Sequence, residues 1–374
     1  MSVDIVEVES RADLKRWVRF PYDHYRGDPL FVPQLAGDEL AYFDRHKNPA
    51  FEVCEVRLFL AERDGRLAGR ICGLVNRLET EKLGHRRGRF GWFESVPDRE
   101  VAHALLGAVR EWHRTTGCTE MTGPQGFTDL DVEGLLVEGF DSVPTAAGSY
   151  NPPCYAGMME SFGLRKDVDY LDYRFRVPER NDILERLGRR AESSGEYSVR
   201  PVRGKKSFLA SVGELWPVLE ASFESLYGVV PLTARQQAFY TKRYFGFLDP
   251  EFFAFIQSRS GELVAFLAAM PNISRGLQQA RGRLLPTGFF HLLRDLKRPE
   301  TVDFLLAGAL PGHPGNLLTA LGLRHVFDAL RHRGVAFVET NHELEHNTTV
   351  NQLWQRFEIV ATRRSRIYRL PLTA

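Results

Sequence analysis

The chain is 374 residues long, enough for two domains of ordinary size. Hydrophobic residues make up 43% and charged residues 26%, the balance of a folded globular protein, and a net charge of +1 gives no general pull towards nucleic acid or an anionic surface. No stretch approaches the roughly 18 apolar residues of a membrane span, the charged opening MSVDIVEVESRADLKRW is unlike a signal peptide, and the cysteines (Cys54, Cys72, Cys118, Cys154) lack paired spacing, so reduced core thiols in a cytoplasmic protein are expected.

Arg57–Ala61 and Leu67–Val75 are apolar runs joined through Asp64-Gly65, a strong hairpin signal. Arg89–Phe93 predicts another strand, and Val101, Ala102, Leu105, Leu106, Val109 and Trp112 form one face of a helix closed by Gly117. Residues 177–202, charged, with Gly and Ser and flanked by prolines, predict a connecting helix and linker. The order then repeats: Phe252–Ile256, a turn at Gly261, Leu263–Met270, and a strand at Val302–Ala309. The helix that follows carries Leu317, Leu318, Leu321, Val326, Phe327 and Leu330 and ends on Arg331, His332, Arg333 and Gly334. Val335–Glu339 reads as a buried strand, and Arg363–Arg369, alternating basic and apolar residues, as a final one. The pattern is that of a diverged duplication, with domains at 1–176 and 201–374 and a linker helix at 177–200.

His342, Glu343 and His346 spell H-E-x-x-H, which binds zinc when both histidines lie one helical turn apart on one face. Here a strand leads into the motif, the following residues (Glu345, Asn347, Thr348, Thr349) are turn-like, and no later histidine offers a third ligand. No metal is expected.

Strand, hairpin, strand, helix, strand, then a second helix opening near an asparagine resembles the GNAT-type N-acyltransferases. The stretch VDFLLAGALPGHPGNLLTALGLRHVFDALRHRGVAFVETNHELEHNTTVNQLWQRFE carries this likeness, with Glu345-His346-Asn347 where members commonly have E-D-N. FGWFES, GCTEMTGPQG, EGLLVEGFD, YNPPCYAGMMESFGL, GRLLPTG and VVPLT resemble a bacterial family of tandem GNAT-like proteins and, within it, the bacterial ceramide synthases, which join a fatty acyl group to a sphingoid amine. The resemblance implies an α/β (α+β) fold of two GNAT-like domains in tandem, each a mixed, mostly antiparallel sheet flanked by helices. It implies acyl-CoA as co-substrate, no permanently bound cofactor, and an amine acceptor, with lipid among the candidates.

A helix amino terminus grips a pyrophosphate through free N–H groups and its positive dipole end. The resemblance puts that place at Leu310, Gly312, Gly315, Asn316 and Leu317, with Asn347 opening the closing helix. The loop departs from the usual Q/R-x-x-G-x-G/A: Gly315 matches the first glycine, Pro314 replaces the basic residue, and Leu317 stands at the second glycine. In the first half Val96–Glu100 has no glycine, so that half is expected to scaffold or to bind substrate. Glu339 and Glu345 are the candidate bases, with His342 and His313 as competitors, and each also reads as a solvated turn residue. Trp354 stands where many relatives carry a tyrosine acid, leaving Tyr368 as a distant substitute. The basic strand Arg363–Arg369 offers contact to CoA phosphates or to anionic lipid, hence peripheral contact with the inner membrane. An aminoacyl-tRNA-dependent transferase, an acetyltransferase of a small amine and a non-catalytic acyl-CoA-binding module remain open, although near-neutral charge disfavours any nucleic-acid partner. The acceptor, the acyl length and the oligomeric state are not legible.

Overall fold

The computed structural model describes residues 2–245 and 248–372. The strands are β1 (Val3–Glu7), β2 (Cys54–Arg63), β3 (Arg66–Asn76), β4 (Arg87–Ser95), β5 (Glu120–Gly123), β6 (Leu135–Glu138), β7 (Arg165–Arg176), β8 (Tyr197–Val199), β9 (Phe253–Ser258), β10 (Leu263–Pro271), β11 (Thr301–Ala309), β12 (Phe337–Thr340), β13 (Glu343–Leu344) and β14 (Ile359–Pro371). They form one sheet in the order β1-β2-β3-β4-β5-β14-β7-β12-β11-β10-β9-β8, with β6 beside β14 and β13 beside β7. Pairing is antiparallel except at β4–β5 and β11–β12, where a helix makes the crossover.

The duplication is visible in the ladder. β1 to β5 correspond to β8 to β12, hairpin for hairpin and parallel pair for parallel pair. The expected hairpin turn forms with Asp64 and Gly65 both at positive φ, as a tight turn matching the strand twist demands. Each half also carries a β-bulge in its last antiparallel strand. Trp92 and Phe93 together oppose Ile71, and Leu305 is the extra residue between the pairs Phe304–Ala269 and Leu306–Ala268.

The two long strands β7 and β14 are exchanged. β14, from the end of the chain, lies against β5, β6 and β7, whereas β7 adjoins β12 of the second half. The expected connecting helix appears as Asp182–Ser193, capped by Asn181. Helix Arg99–Thr115 buries Val101, Leu105, Leu106 and Val109 against the first half of the sheet, and helix Gly315–His332 buries Leu318, Leu321, Val326, Phe327 and Leu330 against the second. Each such side chain removed from water contributes about 1.5–3 kcal/mol, which fixes both helices to the sheet. Between β10 and β11 the helices Ser274–Ala280 and Gly288–Lys297 form a roof fastened to the first half. Gln278 donates to the carbonyl of Pro29 at 2.7 Å, and the Ala36 N–H donates to the carbonyl of Gly282 at 3.0 Å.

Candidate functional site

β11 and β12 run parallel only from Thr301–Phe337 to Phe304–Thr340. There the Asn341 N–H donates to the carbonyl of Phe304 at 2.9 Å, and the strands part. Beyond that point β11 keeps β10 on one side, and among the described residues no strand pairs its other edge from Leu305 to Ala309. The bulge at Leu305 coincides with the parting. An open strand edge of this kind offers backbone N–H and C=O groups to an extended ligand.

β11 leads into Leu310, Gly312 and the helix that starts at Gly315. Gly312 has φ of +87°, a left-handed turn that a side chain resists, and a Cβ added at Gly312 or at Gly315 would meet no atom within 4 Å. No side chain caps this helix; the Asn316 amide oxygen accepts only from the neighbouring Leu317 N–H at 2.9 Å. The Leu317 and Leu318 N–H groups also donate to the Pro314 carbonyl, at 2.9 and 3.1 Å, which leaves the Gly315 and Asn316 N–H groups for an anion. The first half differs. The Asp98 carboxylate caps its helix by accepting from the Glu100 and Val101 N–H groups, and Arg63 pairs with that carboxylate. The end of β4 is closed as well, since the Tyr155 hydroxyl bonds both the N–H and the carbonyl of Ser95. A helix start already filled by its own carboxylate repels a phosphate. Among the described residues, only those of the second half present the open edge and the uncapped helix together.

The parted strands border a cavity of about 640 Å3 between the two halves. Trp92, Phe93 and Glu94 of β4 form one wall; Asp303, Leu305 and Leu306 of β11, with Asn341, form another, and Leu292, Leu293 and Leu296 of the roof cover it. Trp92 sits at φ +47°, a strained conformation for a bulky residue, held by ring contacts to Phe43 at 4.9 Å and Phe127 at 5.5 Å.

This mostly apolar cavity has acidic spots. Burial pushes the Glu94 carboxyl up to about 7, against the opposing pull of the Arg70 cation and of the Tyr25 hydroxyl that donates to it. Asp303 is 3% exposed and accepts from the Asn272 amide at 2.8 Å. Burial first, and then the Glu339 carboxylate one strand away, hold it well above the usual carboxylate range. In its ionised form, a carboxylate whose proton affinity is raised by an apolar wall can balance an ammonium charge and take its proton.

The residues singled out in the sequence are dispersed around this site. Glu339 stands opposite Asp303 in the parallel register, but its carboxylate takes a 3.1 Å bond from Arg174 and opens on a separate pocket of about 20 Å3. Burial raises its carboxyl despite Arg174. Glu345 is drawn away entirely, accepting from Lys166 at 2.7 Å and from the Asp169 N–H at 3.1 Å, contacts that lower its pKa against partial burial. His342 is half-buried with Nδ1 2.9 Å from Asp172; desolvation opposes its charge, and the Asp172 carboxylate outweighs that and raises it. Neither Glu345 nor His342 lines the cavity.

His342 and His346 flank a strand and a turn instead of sharing a helix, and His346 is exposed. Asn347 caps helix Thr348–Trp354, its side chain accepting from the Val350 N–H. Trp354 is core, stacked on Phe175 and donating to Glu343. Tyr368 lies in the core of the first half, on β14. The arginines of β14 are consumed inside the protein: Arg363 donates to the carbonyls of Ser142 and Ser149, Arg364 and Arg366 bond Asp169, and Arg369 pairs with Glu120. A phosphate or lipid on that strand would have to compete with these bonds. Asp303 and Glu94 escaped notice, yet each is a lone acid in an apolar run (VDFLL and GWFES), the signature of a buried carboxyl with a task.

No family model matches the chain. It is 26% identical over 370 residues to Protein YghO of Escherichia coli (strain K12), covering 96% of this chain and 93% of that protein. It is 29% identical over 298 residues to a protein named bacterial ceramide synthase from Caulobacter vibrioides (strain NA1000 / CB15N), covering 79% and 77%. Among solved structures, a tandem GNAT protein from the clavulanic acid biosynthesis pathway, without AcCoA, matches with a TM-score of 0.54 at 14% identity over 100% of this chain and 99% of that one. The fold is that of the tandem GNAT proteins, with its strands exchanged between the halves.

Proposed function

We propose that the protein is an N-acyltransferase that moves a fatty acyl group from acyl-CoA to the primary amine of a sphingoid-base-like lipid. The observation that carries this reading is the parting of β11 and β12 at the Leu305 bulge into a large apolar cavity that also holds Glu94 and Asp303. The CoA pyrophosphate would sit at Gly312–Leu317, on the free N–H groups of Gly315 and Asn316, and the thioester would extend along the open edge of β11 to the bulge. A long-chain amine fits the remainder, with its alkyl chain along the apolar wall and its ammonium group among the carboxylates. The name of the Caulobacter relative supports the lipid acceptor.

The amine arrives protonated and must lose a proton before it can attack. Asp303, ionised while the ammonium sits beside it and its own proton has gone to water, takes that proton, helped by the low polarity of the cavity, which lowers the amine pKa while raising that of the carboxyl. Glu94 holds the ammonium until transfer. The free amine then attacks the thioester carbon, and the backbone N–H groups left unpaired at the bulge stabilise the developing oxyanion. As the N–C bond forms and the C–S bond breaks, the proton shed by nitrogen passes through water to the CoA sulfur. Glu339, the candidate base in the sequence, acts in this scheme through Asp303 by keeping its proton affinity high.

The test is direct: purified protein, palmitoyl-CoA and sphinganine, with mass spectrometry for N-palmitoyl-sphinganine and a thiol assay for released CoA. Thiol release with sphinganine and none with short amines supports the lipid acceptor. Acetyl transfer to a small amine, without reaction of the long-chain pair, would replace the lipid reading with a small-amine acetyltransferase.

A further inference from the structure

The roof over the cavity carries an unusual surface. Leu284, Leu285, Phe289 and Phe290 are four of the eight most exposed large apolar side chains among the described residues, with Leu285 at 75% and Phe290 at 67%. Leu284 and Phe289 also line the cavity, so the exposed patch is continuous with its mouth. In helix Gly288–Lys297 the positions Phe289, Leu292, Leu293 and Leu296 face the cavity, which turns Phe290, Arg294 and Lys297 outward at the spacing of one helical face.

The charges around this patch are one-sided. Arg281, Arg283, Arg294, Lys297 and Arg298 are exposed, whereas Asp295 is buried and bonded to the Gly276 N–H at 2.6 Å. Among the described residues Arg281, Arg283, Lys297 and Arg298 have no carboxylate within 4 Å, unlike Arg364, Arg366 and Arg369 of β14, which are each paired with one. In a chain of net charge +1 this is a local concentration of free cations around exposed aromatic and leucine side chains.

We infer that the segment Arg281–Arg298 is a docking lip for an anionic bilayer surface: Leu285 and Phe290 enter the headgroup and acyl boundary, the basic residues meet lipid phosphates, and the cavity mouth opens onto the membrane. The inference deepens the lipid-acceptor reading, since a lipid amine could then enter the cavity sideways without crossing water. Complementary charge selects a membrane over a second copy of the chain, whose same lip would bring like charges together.

Flotation with vesicles of phosphatidylcholine alone, or with about a third phosphatidylglycerol, tests this. The wild type is expected to float with the anionic vesicles, to lose this at high salt, and to bind the neutral ones at least tenfold more weakly. Leu285→Gln/Phe290→Gln is expected to lose at least tenfold in vesicle affinity. Neither side chain lines the cavity, and unfolding midpoints confirm that the fold is kept. Phe290→Trp gives an independent signal: its added emission should shift to the blue and be quenched by lipids brominated in their chains. Vesicle binding that is absent in the wild type, or unchanged in the double variant, would overturn the lip. So would a wild-type dimer that the double variant turns into a monomer. Transfer of palmitate to decylamine in solution reports on the acyltransferase reading alone: transfer without vesicle binding sinks only the lip, and vesicle binding without transfer sinks only the enzyme.

Discussion

Asp303 and Glu94 differ in what they should do when neutralised. Asp303→Asn keeps the shape and the contact to Asn272 but removes the proton acceptor. Turnover of palmitoyl-CoA with sphinganine should fall about 10²–10⁴-fold while CoA affinity is unchanged, and the deficit should shrink as pH rises and free amine becomes abundant. Equal turnover in the variant would return the base to Glu339 or to water. Glu94 bears on stability as well. An unfolded glutamate titrates near ~4.3, and folded Glu94 near about 7. Between these values the native protein holds a proton that the unfolded chain releases. The contribution is therefore full below the unfolded value and is lost as pH climbs through the folded one. Glu94→Gln should match the wild type at pH 4 and exceed it at pH 8, by on the order of 2 kcal/mol once water in the cavity is allowed for. Urea unfolding across pH measures this, and a difference that does not vary with pH would contradict it.

At the scale of elements, the two crossover helices make opposite use of the same geometry. Gly315→Asp puts a carboxylate in the first turn of the second-half helix, one residue past the capping place that Asp98 fills in the first half. The added side chain meets open space and suits a helix amino terminus, so thermal stability should hold. CoA affinity, read by calorimetry, should drop about tenfold or more through repulsion of the phosphates; affinity that survived would move the cofactor elsewhere. Much at this level was legible beforehand. The hairpins, the strand Val302–Ala309 and both crossover helices follow from local periodicity and turn residues, and the glycines around residues 312–315 marked the loop. What stayed hidden depended on partners distant in sequence. The roof helices are interrupted by Gly282 and Pro286 and are apolar on more than one face, which blurs any period. Asp303 rather than Glu339 faces the cavity because of where β11 and β12 part, and no window of sequence contains that point.

At the scale of the whole molecule, the exchanged strands make the two halves interdependent. β14 lies on β5, β6 and β7, so ending the chain at Glu358 strips partners from strands of the first half. The full chain should unfold in one cooperative step. The shortened chain should expose residues 1–176 to limited proteolysis and lose its near-ultraviolet circular dichroism; a shortened chain that kept the native spectrum and midpoint would show the halves to be independent. The exchange also bears on synthesis. A ribosome delivers the first half long before its closing strand exists. For most of translation β5 and β7 thus wait with open edges, exposed to mispairing. Any premature stop then yields a product that lacks a closed first half, recognisable by proteases as unfinished throughout and not only at its end.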